Sequence, residues 1–113
     1  MKNINSIKIS LNTSIKQALK VISDGGIKIA IVVNSKGILL GTLTDGDIRR
    51  GFLKGLTLNH SIRSVYSKKP LTAKKSDSKE KILKIAISNQ IYQIPVVDKN
   101  NKVISIHILE ELI

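Results

Sequence analysis

Val32-Val33-Asn34 and Val96-Val97-Asp98 are the stretches whose reading decides the fold. Each is a short β-branched run ending on a turn former, the pattern of a buried strand entering a tight connection. Asn34 and Asp98 stand 64 residues apart (98 minus 34). The same offset of 64 superposes Ser14 on Ser78, Leu19-Lys20 on Leu83-Lys84, Val21 on Ile85, Ile27 on Ile91 and Leu39-Leu40 on Val103-Ile104 without a gap. Self-similarity at a fixed spacing means one supersecondary unit used twice.

Working outward from Val32-Val33, Thr13 or Ser14 caps a helix whose Ile15, Ala18, Leu19 and Ile22 recur at i, i+3, i+4 and i+7, a single buried stripe. Asp24-Gly25-Gly26 ends it. Lys28 to Val33 reads as a buried strand, Asn34-Ser35-Lys36-Gly37 as a hairpin turn and Ile38 to Leu43 as the returning strand. A second helix is expected from Thr44, with Ile48, Phe52 and Leu53 turned inward and a stop near Gly55. From Pro70 the pattern repeats: Asp77 or Ser78 caps a helix bearing Ile82, Leu83, Ile85 and Ala86, followed by strands at Ile94 to Val97 and Val103 to Ile108. The last helix, Glu110-Glu111-Leu112-Ile113, has about one turn, which reads either as an abrupt chain end or as a chain cut from something longer.

The expected fold is therefore α/β of the mixed, α+β kind, with β-α-β-β-α units at residues 1–55 and 70–113. The inter-repeat segment 56–69, carrying Leu56, Leu58, Ile62 and Val65, is expected to pack across the globule. A lone hairpin buries neither face, so the units should fold as one body.

Composition narrows the chemistry. Aromatics are only 3% of 113 residues, so the core must be built from Ile, Leu and Val. The absence of cysteine excludes disulfides, thiolate nucleophiles and Cys-based metal sites. No apolar run reaches the roughly 18 residues of a membrane span, and Met1 to Asn12 lacks the layout of a signal peptide, so a cytoplasmic protein without a membrane role is expected. The net charge of +11 attracts phosphates, but all but Arg49, Arg50 and Arg63 of its basic residues are Lys. With Tyr66, Tyr92 and Phe52 as the whole aromatic set, composition argues against nucleic acid as the partner. No base–nucleophile pair and no acidic metal cluster stands out, so no catalytic residue and no metal ligand is assigned and this chain is not expected to be an enzyme. His107 beside Glu110 and Glu111 has no second His near it, and His60 reads as a surface residue.

Gly41-Thr42-Leu43-Thr44-Asp45-Gly46-Asp47 sits at a strand-to-helix junction. Two readings fit it. The unpaired N–H groups of a helix start suit a phosphate, with the Asp47 carboxylate taking ribose hydroxyls. Thr-x-x-Asp is equally a capping box that needs no ligand. Of Arg49 and Arg50, which follow on the helix, one is placed to reach a phosphate and the other solvent.

The repeat order, the Pro95-Val96-Val97-Asp98 run and the Gly41-x-x-Thr44-x-x-Asp47 junction together resemble a tandem CBS domain pair, the Bateman module, over nearly the whole chain. The resemblance implies two repeats packed with pseudo-twofold symmetry and a cleft for an adenosine ligand such as AMP, ATP or S-adenosylmethionine, with no cofactor required. It implies further that Thr44 contacts phosphate, Asp47 contacts ribose, and the backbone of Ile29, Ala30 and Ile31 holds adenine, with Gly41 and Arg49 in the same site. A homodimer through the modules is expected as well. The longer string from Gly41 to Gly51, with Ile48-Arg49-Arg50, is similar to CBS pairs that precede a sugar-phosphate nucleotidyltransferase domain, which implies such a domain as the attached partner. At offset 64 Thr44 meets Ile108, Asp47 meets Glu111 and Gly41 meets Ser105, so at most one good nucleotide site is expected.

Overall fold

The structure, a computed structural model, describes residues 4–113. Its elements follow the order β1 (Lys8–Ile9), α1 (Ile15–Gly25), β2 (Ile29–Val33), β3 (Leu39–Thr44) and α2 (Asp45–Leu53), then β4 (Ala73–Lys74), α3 (Lys79–Ser88), β5 (Gln93–Val97), β6 (Val103–Ile108) and α4 (Leu109–Leu112). Short 3-10 turns lie at Ile4–Ile7 and Ile62–Ser64. The strands make two three-stranded sheets, ordered β1-β2-β3 and β4-β5-β6.

The offset of 64 survives in three dimensions: β2 and β5, β3 and β6, and the helix caps Ser14 and Ser78 are all spaced by it. So is the register, with Ile9 opposite Val32 and Ala73 opposite Val96, and even the irregularity between Val32 and Val33 recurs between Val96 and Val97. The central strands are apolar without alternation, as Ile29-Ala30-Ile31-Val32 shows, because helices cover one face and the other repeat covers the opposite one. At the start of α1 the Ser14 hydroxyl accepts the Gln17 N–H (3.1 Å) while the Gln17 side-chain oxygen accepts the Ser14 N–H (3.0 Å). That reciprocal cap satisfies two donors that would otherwise be orphaned.

The repeats meet at their hairpin turns. Leu39 N–H donates to the Asn101 carbonyl (2.9 Å) and Val103 N–H to the Gly37 carbonyl (3.1 Å). Moving each end to its equivalent in the other repeat (39 + 64 = 103, 101 − 64 = 37) turns one bond into the other, which is what a pseudo-twofold axis between the repeats requires. Beneath the turns lies a shared core of Ile27, Ile29, Ile31 and Leu39 from the first repeat with Val97, Val103 and Ile106 from the second. The Gln93 side-chain amide adds a bond to the Ile27 carbonyl (2.7 Å).

Two expectations need correction. The inter-repeat segment does not cross the globule but folds back on the first repeat. Lys16 N–H donates to Leu58 carbonyl (3.0 Å), Ile15 N–H to His60 carbonyl (2.9 Å), and Thr42 and Ser67 exchange both backbone bonds. Ile62 is fully buried there, with Leu56, Val65 and Tyr66 packed against the same core, whereas Leu58 stays 43% exposed. The other correction concerns α2, whose Phe52 and Leu53 point outward at 42% and 82% exposure. Its inward stripe is Ile48 and Gly51. Gly51 faces in because Val65 lies over it: a Cβ there would stand 2.5 Å from a Val65 methyl.

Candidate functional site

The cleft between the repeats opens beside the junction of β3 and α2. Thr44 ends the strand in an extended conformation and caps the helix. Its N–H and its hydroxyl both donate to Asp47 Oδ2 (3.0 and 3.1 Å), and the Asp47 N–H donates back to the hydroxyl (3.3 Å). The other carboxylate oxygen, Oδ1, accepts Arg50 Nη2 at 2.6 Å. The capping-box reading is thus realised in full. The Arg50 side chain is 65% exposed, while the carboxylate it pairs with is only 13% exposed and also bonded to its cap. A helix start, a half-buried carboxylate and an exposed guanidinium suit a phosphorylated diol.

A cavity of ≈ 770 Å³ lies between the repeats, within the roughly 300–1,000 Å³ usual for small-molecule sites. Thr44 and Gly46 line it from the first repeat, opposite Tyr92, Gln93 and Glu110 from the second. Of the residues singled out from the sequence, Thr44 lines this cleft, whereas Asp47 lies behind it, bonded to Thr44 and outside the lining. Ile29 stands opposite Thr44 in the sheet, but the side chains of Ile29 and Ile31 belong to the shared core and that of Ala30 to the core of the first repeat. Gly41 lies under Tyr66-Ser67, where an added Cβ would collide with the Ser67 carbonyl oxygen. Arg49 is exposed and makes no hydrogen bond or ion pair among the described residues.

Sequence reasoning missed Lys28, Tyr92 and Gln93, all on the cleft wall. Lys28 adopts φ 67°, a conformation that costs a non-glycine residue about 1 kcal/mol or more. Gly25-Gly26 just before it is the signal that the chain turns sharply there. In the second repeat Ile108 caps α4 with no side-chain bond, so the polar junction is not duplicated. Among the described residues no group of three or more His, Asp or Glu could hold a metal, and no helix is long and apolar enough to cross a membrane.

A family model described as CBS domain matches residues 1–54 and 62–106. The arabinose 5-phosphate isomerase KdsD of Francisella tularensis is 33% identical over 119 residues, covering 100% of this chain and 35% of that protein. Among solved structures, the CBS domain pair of protein MJ0100 in complex with 5′-methylthioadenosine and S-adenosyl-L-methionine superposes with a TM-score of 0.83 at 24% identity, covering 94% of this chain and 83% of that one. The cytosolic domain of the Mg2+ channel MgtE in complex with ATP gives 0.80 at 15% identity, covering 94% and 43%. The chain spans about a third of the length of the first curated relatives it matches, from 29% to 35%.

Proposed function

The chain belongs to the CBS domain family as a tandem pair, and from that premise we propose that it is a regulatory module that takes an adenosine ligand in the cleft beside Thr44 and Asp47. As an isolated pair it is not itself an enzyme. The carrying observation is Thr44 on the wall of an inter-repeat cavity, capping α2 and bonded to Asp47, which in turn pairs with Arg50. In this reading Thr44 and the N–H groups of α2 hold the phosphate or sulfonium-side tail, Asp47 exchanges Arg50 for ribose hydroxyls, and the β2 backbone from Ile29 to Ile31 and Gly41 frame the adenine side. Arg49 lies free on the surface to pair with a distal phosphate. AMP, ATP and S-adenosylmethionine are the candidate ligands, no resident cofactor is required, and the setting is the cytoplasm.

Regulation then works by population shift: a ligand that bridges the repeats favours the arrangement in which both walls meet it, and it shifts an attached domain only by its differential affinity. The attached domain is proposed to act on a sugar phosphate. Likeness to KdsD supports an isomerase, and the Gly41-to-Gly51 string supports a nucleotidyltransferase. Calorimetric titration with the three ligands tests the site. Saturable heat is expected from at least one, lost by about tenfold or more in Asp47→Ala. Because that variant also loses a cap worth about 1 kcal/mol, its melting is measured alongside. No heat from any of the three rejects the reading.

A second reading rests on Phe52 and Leu53, an exposed apolar pair at the end of α2. It makes the module a dimerisation element joined through these helices by a twofold axis. Light scattering of the chain should then give a dimer mass that Phe52→Ser with Leu53→Ser reduces to a monomer. A monomeric parent chain removes it.

A further inference from the structure

The inter-repeat cavity lies across the pseudo-twofold axis, because the residues that line it include one another's equivalents at offset 64: Lys28 with Tyr92, Thr44 with Ile108, and Gly46 with Glu110. Equivalent places hold different chemistry. Where the first repeat offers the Lys28 ammonium the second offers an aromatic ring, and where the first has Gly46 the second has a carboxylate. The Tyr92 carbonyl accepts the Leu109 N–H (2.8 Å), which holds the segments bearing Tyr92 and Glu110 side by side on one wall. Tyr92 is 65% exposed, so its ring is open to whatever enters.

The charge of this lining runs against that of the protein. The chain carries +11, yet the cleft sets one ammonium, Lys28, against three carboxylates, Asp45, Glu110 and Glu111. Lys28, Asp45 and Glu110 are exposed and make no ion pair among the described residues, while Glu111 has an interaction of its own. Just outside the lining, Asp47 and Arg50 pair at 2.6 Å and cancel each other's charge. On the second repeat's wall, among the described residues, Tyr92, Glu110 and Glu111 stand without a cation. A cleft lined by one sign of charge and walled by protein focuses that field on what binds in it.

These groups decide between the tails an adenosine can carry. A triphosphate entering without a metal ion meets three carboxylates and one ammonium, so the field repels it. A sulfonium meets the same field with the opposite sign, and an open aromatic face attracts a cation further. We propose that the cleft selects an adenosine with a cationic tail, of the sulfonium class, over one bearing phosphates. The positive sulfur lies between the Tyr92 ring and the Glu110 carboxylate, and Lys28 on the facing wall takes the carboxylate of an amino-acid tail. The selection rests on the adenosine reading of the same cleft and narrows it.

The test is a calorimetric titration of the 113-residue chain in metal-free buffer with four ligands. They are S-adenosylmethionine, S-adenosylhomocysteine (a neutral thioether in place of the sulfonium), AMP and ATP. S-adenosylmethionine is expected to bind about tenfold more tightly than S-adenosylhomocysteine, with ATP weakest of the four. The ratio of the two sulfur ligands should fall toward one in Asp45→Asn with Glu110→Gln, and also in concentrated salt. Both positions are exposed, so the double variant keeps the fold. A ratio below about twofold, a ratio unchanged in the double variant, or tighter binding of AMP or ATP would each overturn the selection while leaving an adenosine site in place. Silence from all four removes the site and the selection together.

Discussion

Gly41→Val is expected to destabilise the protein by about 3 kcal/mol and to strip residues 56–67 from the first repeat. The glycine is in an ordinary extended strand, so the penalty is one of space and not of backbone conformation. A Cβ at this position would run into the Ser67 carbonyl oxygen and stand 2.6 Å from a ring carbon of Tyr66. The obstruction on one side is main chain held by two hydrogen bonds to Thr42, and main chain does not rotate away as a side chain does. Either the pair Thr42–Ser67 breaks or the strand bends, and both expose Leu56, Val65 and Tyr66. Urea unfolding should show the lower midpoint, and hydrogen exchange should show Ser67 and Thr42 amides losing protection while Val103 keeps its own. A loss below about 0.5 kcal/mol would mean the segment is only loosely seated. Ser105→Gly, at the equivalent position of the second repeat, has no such neighbour to relieve and should alter stability by no more than about 1 kcal/mol.

Much of this architecture could be read before any coordinates, and the reason is the repeat. Two copies of one pattern at offset 64 let each ambiguous segment be checked against its twin: Val32-Val33 alone is a short apolar run, but with Val96-Val97 it is a strand in a defined place. The caps Ser14 and Ser78 were legible because capping depends on neighbours within three residues. The misreadings fall where the second repeat offers no twin or where distant chain decides. Phe52 and Leu53 have helical spacing for the core, yet Val65, thirteen residues beyond Phe52, has already taken the inward side over Gly51. Segment 56–67 has no counterpart among residues 1–113, so its apolar residues predicted burial but not against which surface.

The candidate site was legible only in part, for a related reason. A cleft between repeats takes its walls from both, and a motif within one repeat names only one wall. Thr44 was found because a strand-to-helix junction is local. Tyr92 and Gln93, facing it from the second repeat, carry no local signal and are identified by packing alone. Arg50, not Arg49, is the arginine that contacts Asp47, because a side chain three positions along a helix returns to the same face and one two positions along does not.

Ile106→Ala carries the second large effect, and its consequence for function is direct. Ile106 is fully buried and belongs to β6 of the second repeat, yet the core it fills holds Ile27, Ile29, Ile31 and Leu39 of the first. Removing three carbons from that place should cost about 3 kcal/mol, from lost transfer energy and the cavity left behind. If each repeat were an independent domain, the loss would appear only in the second. Because the shared core and the reciprocal turn bonds Leu39–Asn101 and Val103–Gly37 tie them, one transition should shift as a whole. The only tyrosines report on different places, Tyr66 on the first repeat and Tyr92 on the inter-repeat cleft. Tyr66→Phe and Tyr92→Phe in the Ile106→Ala background therefore give two fluorescence curves, which should coincide. Curves that separate would mean that the repeats unfold independently. A ligand between them could then reorient one repeat without straining the other, and the cleft would have no rigid frame through which to move an attached domain.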